Sequence, residues 1–179
     1  DFFKKKNIPI IDCDQVAHEL MKPGNASWQV IKDHFGVEYL NSDQTINRKK
    51  LGQLVFSNKR SAKVYVDYYF EKADEYFFVK EYQNFALVIL DAPVYFEAGL
   101  DKKHVANGVL VITLPEQLQI ERLKKRNNLS DEEARMRINS QMPLAEKEKM
   151  ADFVIENTGT IKELENKLAQ LLVKIREEG

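Results

Sequence analysis

The sequence has one cysteine, no histidine cluster, no long apolar run and almost no excess of either charge. A lone Cys13 cannot close an internal disulfide. No apolar stretch has signal-peptide character or the length to cross a bilayer, so a cytoplasmic protein without a membrane partner is expected. The 27 basic and 28 acidic residues leave a formal net charge of -1. That near-neutrality excludes the broad basic footprint of a general nucleic-acid or membrane binder, and any anion site has to be local. His18, His34 and His104 share no metal-ligand spacing with one another or with Cys13, so no zinc site is expected. Repeats and low-complexity tracts are absent too, and nothing in the sequence marks a linker between independent domains. Two glycosylation-type triplets, Asn25-Ala26-Ser27 and Asn128-Leu129-Ser130, carry no weight in a chain with no secretory feature.

What is present reads as one ordinary globular domain: 179 residues, 44% hydrophobic and 31% charged, enough to bury a sizeable core. Short apolar runs alternate with longer amphipathic segments, the pattern of an α/β protein with a buried parallel sheet. The strands are expected at Ile8 to Asp12, Leu87 to Leu90, Val109 to Thr113 and Phe153 to Ile155. Between the first two lies a long helical insertion. One of its helices carries Trp28, Ile31 and Phe35 before Gly36; another, from about Ser61 to Tyr82, carries Val66, Tyr69, Phe70, Ala73 and Phe77. At helical spacing these aromatics read as core. The last helix shows Ile161, Leu164, Leu168, Leu171, Leu172 and Ile175 on one stripe, opened by Thr160 and Glu163 in capping-box spacing.

Two clusters carry chemistry. Asp12-Cys13-Asp14 follows the apolar run Ile8 to Ile11, at the strand edge where open α/β sheets bind ligands. On an extended backbone Asp12 and Asp14 project to one side, one suited to deprotonating a hydroxyl and the other to holding metal-bound water. The plain alternative is that Asp14 caps the helix that follows. The second cluster begins at Pro115, where a helix carries Gln119, Arg122, Lys124, Lys125 and Arg126. Arg122 and Arg126 are four apart on one face, and guanidinium forks grip phosphate oxygens in pairs. After the turn Asn127-Asn128-Leu129, Ser130 and Glu133 again have capping-box spacing, opening a helix with Arg135, Arg137 and Gln141. This charged hairpin is either a solvated face whose arginines pair with neighbouring acids, or a lid over phosphates.

These residues, in this order, resemble the dephospho-coenzyme A kinase family of P-loop kinases, nearly end to end. The resemblance rests on Ile11-Asp12-Cys13-Asp14 with Ala17-His18, on Phe35-Gly36, and on Asn47-Arg48-Lys49-Lys50-Leu51 leading to Val55-Phe56. It continues through Ala92-Pro93 to Phe96-Glu97, the Gln119, Arg122 and Arg126 pattern, Gln141, and Ala151-Asp152-Phe153-Val154-Ile155-Glu156-Asn157-Thr158-Gly159. The resemblance implies a P-loop kinase-like parallel sheet with helices on both faces in a single domain over residues 1–179. It also implies a helical substrate-binding insertion at about 27–85 and a helical lid at about 115–145.

The function implied is ATP-dependent phosphorylation of the ribose 3'-hydroxyl of dephospho-CoA, the last step of coenzyme A biosynthesis, with Mg2+ accompanying ATP. Asp14 matches the catalytic base, and Arg126 reaches the phosphates. Arg122 and Asn157 join Arg126 at the nucleotide, with Asn157 toward adenine. Asp12, Arg48, Pro93 and Glu97 face the acceptor. No metal ligand set within the protein is implied. The pattern departs from the family where Val94-Tyr95 replace paired leucines and where no His-Pro pair occurs near Tyr68 and Tyr69.

The largest departure is the lack of Gly-x-x-x-x-Gly-Lys-Ser/Thr, the loop that cradles the β and γ phosphates. In the family it precedes the position of Asp12, on a central strand between those expected at Leu87 to Leu90 and Val109 to Thr113. A sheet without that strand leaves ladder groups unpaired at about 1–3 kcal/mol each, so an N-terminal extension is expected in the natural protein. Two other readings stay open: another small-molecule P-loop kinase, such as a nucleotide kinase, and a noncatalytic binding module without the loop.

Overall fold

The computed structural model describes residues 1–57, 82–103 and 105–178. The helix expected from Ser61 to Tyr82 and the position of His104 lie outside the described residues. Two compact units divide the chain, Asp1–Pro93 and Val94–Gly179.

In the first unit, a single turn of helix α1 (Phe2–Lys5) leads to strand β1 (Ile10–Asp12), which pairs in parallel with β2 (Ile89–Asp91). The partners are Ile10 with Ile89, Ile11 with Leu90, and Asp12 with Asp91. Both strands are shorter than the apolar runs that announce them. The second is displaced to take in Asp91. Helix α2 (Cys13–Leu20) begins directly after β1. Its Cys13 and Val16 are buried one turn apart, the helical repeat that turns one side inward.

Helix α3 (Ala26–Phe35) and α4 (Arg48–Ser57) frame a small core of Trp28, Ile31, Ile46 and Leu51, flanked by Met21, Phe35, Tyr39 and Leu40. The Trp28 indole donates to the Gln44 carbonyl at 2.6 Å. This satisfies the polar tip of an otherwise buried ring. Helix α3 stops at Gly36, whose φ of 98° is in the region that side chains avoid and glycine reaches freely. A Cβ added there would also meet the Glu38 carboxylate.

The second unit is built on strand β3 (Leu110–Thr113) paired in parallel with β4 (Phe153–Glu156). Between them run α5 (Glu116–Asn127), α6 (Asp131–Asn139) and α7 (Leu144–Met150), and the chain continues into α8 (Ile161–Glu178). Helix α5 ends at Asn128, which takes the left-handed conformation with φ 53° and ψ 47°. Asn is one of the few residues that enters that region at little cost. Helix α6 then opens on the expected capping box: Glu133 N donates to Ser130 Oγ at 3.2 Å, and Ser130 N donates to Glu133 Oε2 at 2.8 Å. Thr160 and Glu163 repeat the arrangement at the start of α8.

Helix α7 has no counterpart among the expected elements, and Gln141, expected within the helix opened by Ser130, lies beyond its end at Asn139. Pro143 explains the break. The residue before a proline is pushed out of helical geometry, and the proline then serves as the cap of the next helix. The expected buried sheet also differs at β4, where Ile155 is buried but Val154 is 46% exposed. Alternation of that kind belongs to a strand covered on one face. Within the last apolar stripe, Leu168 and Leu172 are buried whereas Ile161 is 79% exposed, because it sits in the first, uncovered turn.

Candidate active site

The carboxylates of the first unit gather where its two strands end. Asp12 closes β1 directly opposite Asp91, which closes β2. Asp12 is the helix cap: its backbone is extended (φ -88°, ψ 106°) and its Oδ1 accepts from Gln15 N at 3.0 Å. The capping role considered for Asp14 therefore belongs to Asp12. Because the helix starts at Cys13, the strand alternation expected to carry Asp12 and Asp14 to one side stops at Asp12. Asp14 instead stands in the first turn of α2, exposed to solvent. Carboxylates are favoured there by the positive end of the helix dipole.

The charges of Asp12 and Asp14 act on Asp91 and on the buried thiol of Cys13. Burial pushes the Cys13 thiol up to about 12, with further contributions from the charges of Asp91, Asp14 and Asp12. Burial also raises the Asp91 carboxyl above its ordinary range, aided by Asp12 and then Asp14. Cys13 is therefore a protonated packing residue at neutral pH, and the cluster is a local negative pole with Asp14 on its accessible side. Arg48 opens α4 and Pro93 follows β2; both are exposed.

In the second unit the hairpin α5–α6 is laced by charge. Asp131 accepts from Lys124 Nζ at 3.1 Å and from Arg135 Nε at 3.0 Å, while Arg135 Nη1 reaches Glu116 Oε1 at 3.1 Å. Those contacts satisfy the plain reading for Lys124 and Arg135. The two arginines singled out for phosphate behave differently. Arg122 Nη2 donates to the Gly159 carbonyl at 3.4 Å, and Arg126 Nε donates to Asn127 Oδ1 at 2.9 Å. A carbonyl and an amide leave the cationic charge of both unneutralised by those contacts. The Arg122 bond also brings that side chain to the turn that follows β4, where Asn157 N donates to the Thr113 carbonyl at 2.8 Å. Arg122 and the Asn157–Gly159 turn thus share one end of the β3–β4 ladder, its C-terminal end.

Glu97 is held in place. Its Oε1 accepts from Met142 N at 2.8 Å and from Lys147 Nζ at 2.8 Å. A groove of about 420 Å³ between β4 and α8, lined by Val154, Glu156, Lys167 and Lys174 among others, contains none of the expected site residues. Among the described residues no group of three His, Cys, Asp or Glu side chains is arranged to hold a metal ion. No described helix is long and apolar enough to cross a membrane.

A family model described as dephospho-CoA kinase matches residues 1–163 of this sequence. The chain belongs to the dephospho-CoA kinase family. A dephospho-CoA kinase of Lactobacillus acidophilus is 69% identical, the match covering 99% of this chain and 90% of that protein. Among solved structures, a Thermus thermophilus protein superimposes with a TM-score of 0.78 at 27% identity, covering 97% of this chain and 87% of its own. The dephospho-CoA kinase of Campylobacter jejuni gives a TM-score of 0.64 at 27% identity, covering 98% and 89%. The fold of this dephospho-CoA kinase family member is accordingly the α/β fold of the P-loop kinases, with parallel strands and flanking helices.

Two residues with no expected role adjoin expected site residues of this family member, Asp91 beside Asp12 in the first unit and Lys147 beside Glu97 in the second. Asp91 ends an apolar run, as Asp12 does, and that shared position was the available signal. Lys147 gave no signal, because nothing local distinguishes a buried lysine in Leu144–Met150 from the exposed ones beside it.

Proposed function

We propose that the protein transfers the γ-phosphoryl group of ATP to the ribose 3'-hydroxyl of dephospho-CoA, giving coenzyme A and ADP. The observation that carries this reading is the exposed Asp14 at the C-terminal edge of β1, in a chain matched to the dephospho-CoA kinase model over residues 1–163. The bond from the γ-phosphorus to the ADP oxygen breaks as the 3'-oxygen attacks. Asp14 orients the hydroxyl and takes its proton. Arg126 and Arg122 lie against the triphosphate and offset its growing equatorial charge, work that a guanidinium performs well where water is excluded. Asn157 contacts adenine from the turn beside Arg122. Asp12, Arg48, Pro93 and Glu97 border the acceptor.

Mg2+ accompanies the nucleotide. A metal held mainly by phosphate oxygens and water needs one or two carboxylates, not a protein cage. The acid pole fits that demand, and Asp12 would hold a metal-bound water. The ion supplies charge neutralisation on the triphosphate.

The test uses the full-length protein with ATP and either dephospho-CoA or a nucleoside monophosphate, following ADP release and product mass. Dephospho-CoA is expected to be consumed and the monophosphate left intact; the reverse preference sinks the acceptor assignment. Asp14→Asn is expected to keep ATP binding while turnover drops by about 10²–10⁴-fold, the usual contribution of a positioned base. Near-normal turnover in that variant removes Asp14 from the chemistry.

A further inference from the structure

Lys147 is the one charged side chain among the described residues that is buried, at 7% exposure. Its ammonium meets Glu97 Oε1 at 2.8 Å, and the same oxygen accepts from Met142 N at 2.8 Å. Met142 lies in the short connection between α6 and α7, where the basic hairpin rejoins the rest of its unit. At the hairpin's other base, Thr113 Oγ1 bonds to Glu148 Oε1, and Gln119 Nε2 donates to the Leu114 carbonyl at 3.0 Å. Both roots of α5–α6 are therefore fastened through neighbouring residues of α7, Lys147 on one side and Glu148 on the other.

An ion pair on a buried lysine is a poor way to gain stability. Desolvating the ammonium offsets much of the attraction, and an apolar replacement commonly does as well. What such a pair provides is fixed geometry, because a buried ammonium holds its carboxylate in one place. Here the fixed carboxylate grips the backbone at the hairpin's root. We propose that Lys147 is a positioning residue for nucleotide binding: by holding Glu97 on Met142 N, it sets the angle at which the hairpin presents Arg122 and Arg126. The proposal rests on the reading of that hairpin as the ATP-contacting element.

The experiment compares wild-type, Lys147→Met and Lys147→Arg forms of the full-length protein by ATP titration calorimetry, by KM for ATP, and by hydrogen exchange of the Met142 amide. Lys147→Met is expected to weaken ATP binding about tenfold, within the usual span of positional couplings. The Met142 amide is expected to exchange faster. Lys147→Arg, which keeps the charge, is expected to recover most of the affinity. Unchanged ATP affinity in Lys147→Met, or an unchanged exchange rate of the Met142 amide, overturns the proposal. If Lys147→Met does not fold, the Glu97→Leu/Lys147→Met pair restores an apolar packing. That variant is expected to be stable yet still weak for ATP, and normal ATP affinity in it is equally fatal. A wild-type protein that binds ATP but ignores dephospho-CoA defeats the acceptor assignment alone, since the ATP titrations still decide the role of Lys147. One that does not bind ATP defeats both.

Discussion

Replacing Asp12 separates two effects that the structure superimposes on a single carboxylate. As a cap, Asp12 satisfies Gln15 N at 3.0 Å at the start of an eight-residue helix. Losing a cap of this kind costs about 1 kcal/mol. As a charge, Asp12 stands opposite Asp91 and contributes to holding the Asp91 carboxyl above its ordinary range. Asp12→Ala removes the cap and the charge together. Asp12→Asn keeps a side-chain oxygen, and asparagine caps about as well as aspartate, so only the repulsion is removed.

The expected order of stability at neutral pH is therefore Asp12→Asn at or above wild type, and Asp12→Ala below it by somewhat less than the full cap value. A deficit of about 1 kcal/mol is roughly a fivefold shift in the unfolding equilibrium. For a chain of this size it corresponds to about 2–4 °C in the thermal midpoint. Urea titration read by circular dichroism measures it, provided the slope with denaturant is the same in all three proteins. Equal destabilisation by Asp12→Asn and Asp12→Ala would refute the reasoning, because it would mean that the charge matters and the cap does not.

Three further outcomes follow from the same geometry. Since burial and three carboxylates push the Cys13 thiol up to about 12, the native protein is expected to resist iodoacetamide at mildly alkaline pH and to react once unfolded in urea; full labelling of native protein contradicts this. The Asp91 carboxyl is raised from its usual 3.8, by burial first and then by Asp12 and Asp14, so the folded state holds that proton more tightly than the unfolded chain. Its contribution to stability is complete below pH 3.8 and is lost as pH rises through the raised value. Asp91→Asn is thus expected to melt higher than wild type at neutral pH and to lose that advantage in acid, and an advantage that persists in acid counts against the burial and charge account. Arg122→Ala is expected to raise KM for ATP without moving the thermal midpoint, because its bond to Gly159 is exposed and long at 3.4 Å; a clear drop in the midpoint assigns Arg122 to structure instead.

The elements that announced themselves were those in which periodicity and capping agreed. Ser130 with Glu133 and Thr160 with Glu163 marked two helix starts to the residue, because a capping box needs only local sequence. The apolar runs located the four strands of the described residues, but their ends drifted by one or two residues, since hydrogen bonding across the ladder, not local hydrophobicity, decides where a strand stops. Pro143 was a visible break that the charged run around it concealed. At the candidate site, Asp12 and Asp14 stood out because they follow an apolar run at the edge where open α/β sheets bind ligands, but which of them caps the helix depends on where the helix begins. Lys147 and its hold on Glu97 were not legible at all. A pairing across fifty residues of chain is a tertiary fact, and neither partner differs locally from a surface charge.

The passage from β1 into α2 has no loop; the strand's last residue is the helix's cap. Insertion of a single residue after Asp12 would turn Asp14 by about 100° around the helix axis and carry it away from Asp91. Length variation among homologues should therefore be rare at this junction. A protein engineer seeking a place to graft a tag or a sensor peptide would leave the seam between β1 and α2 intact.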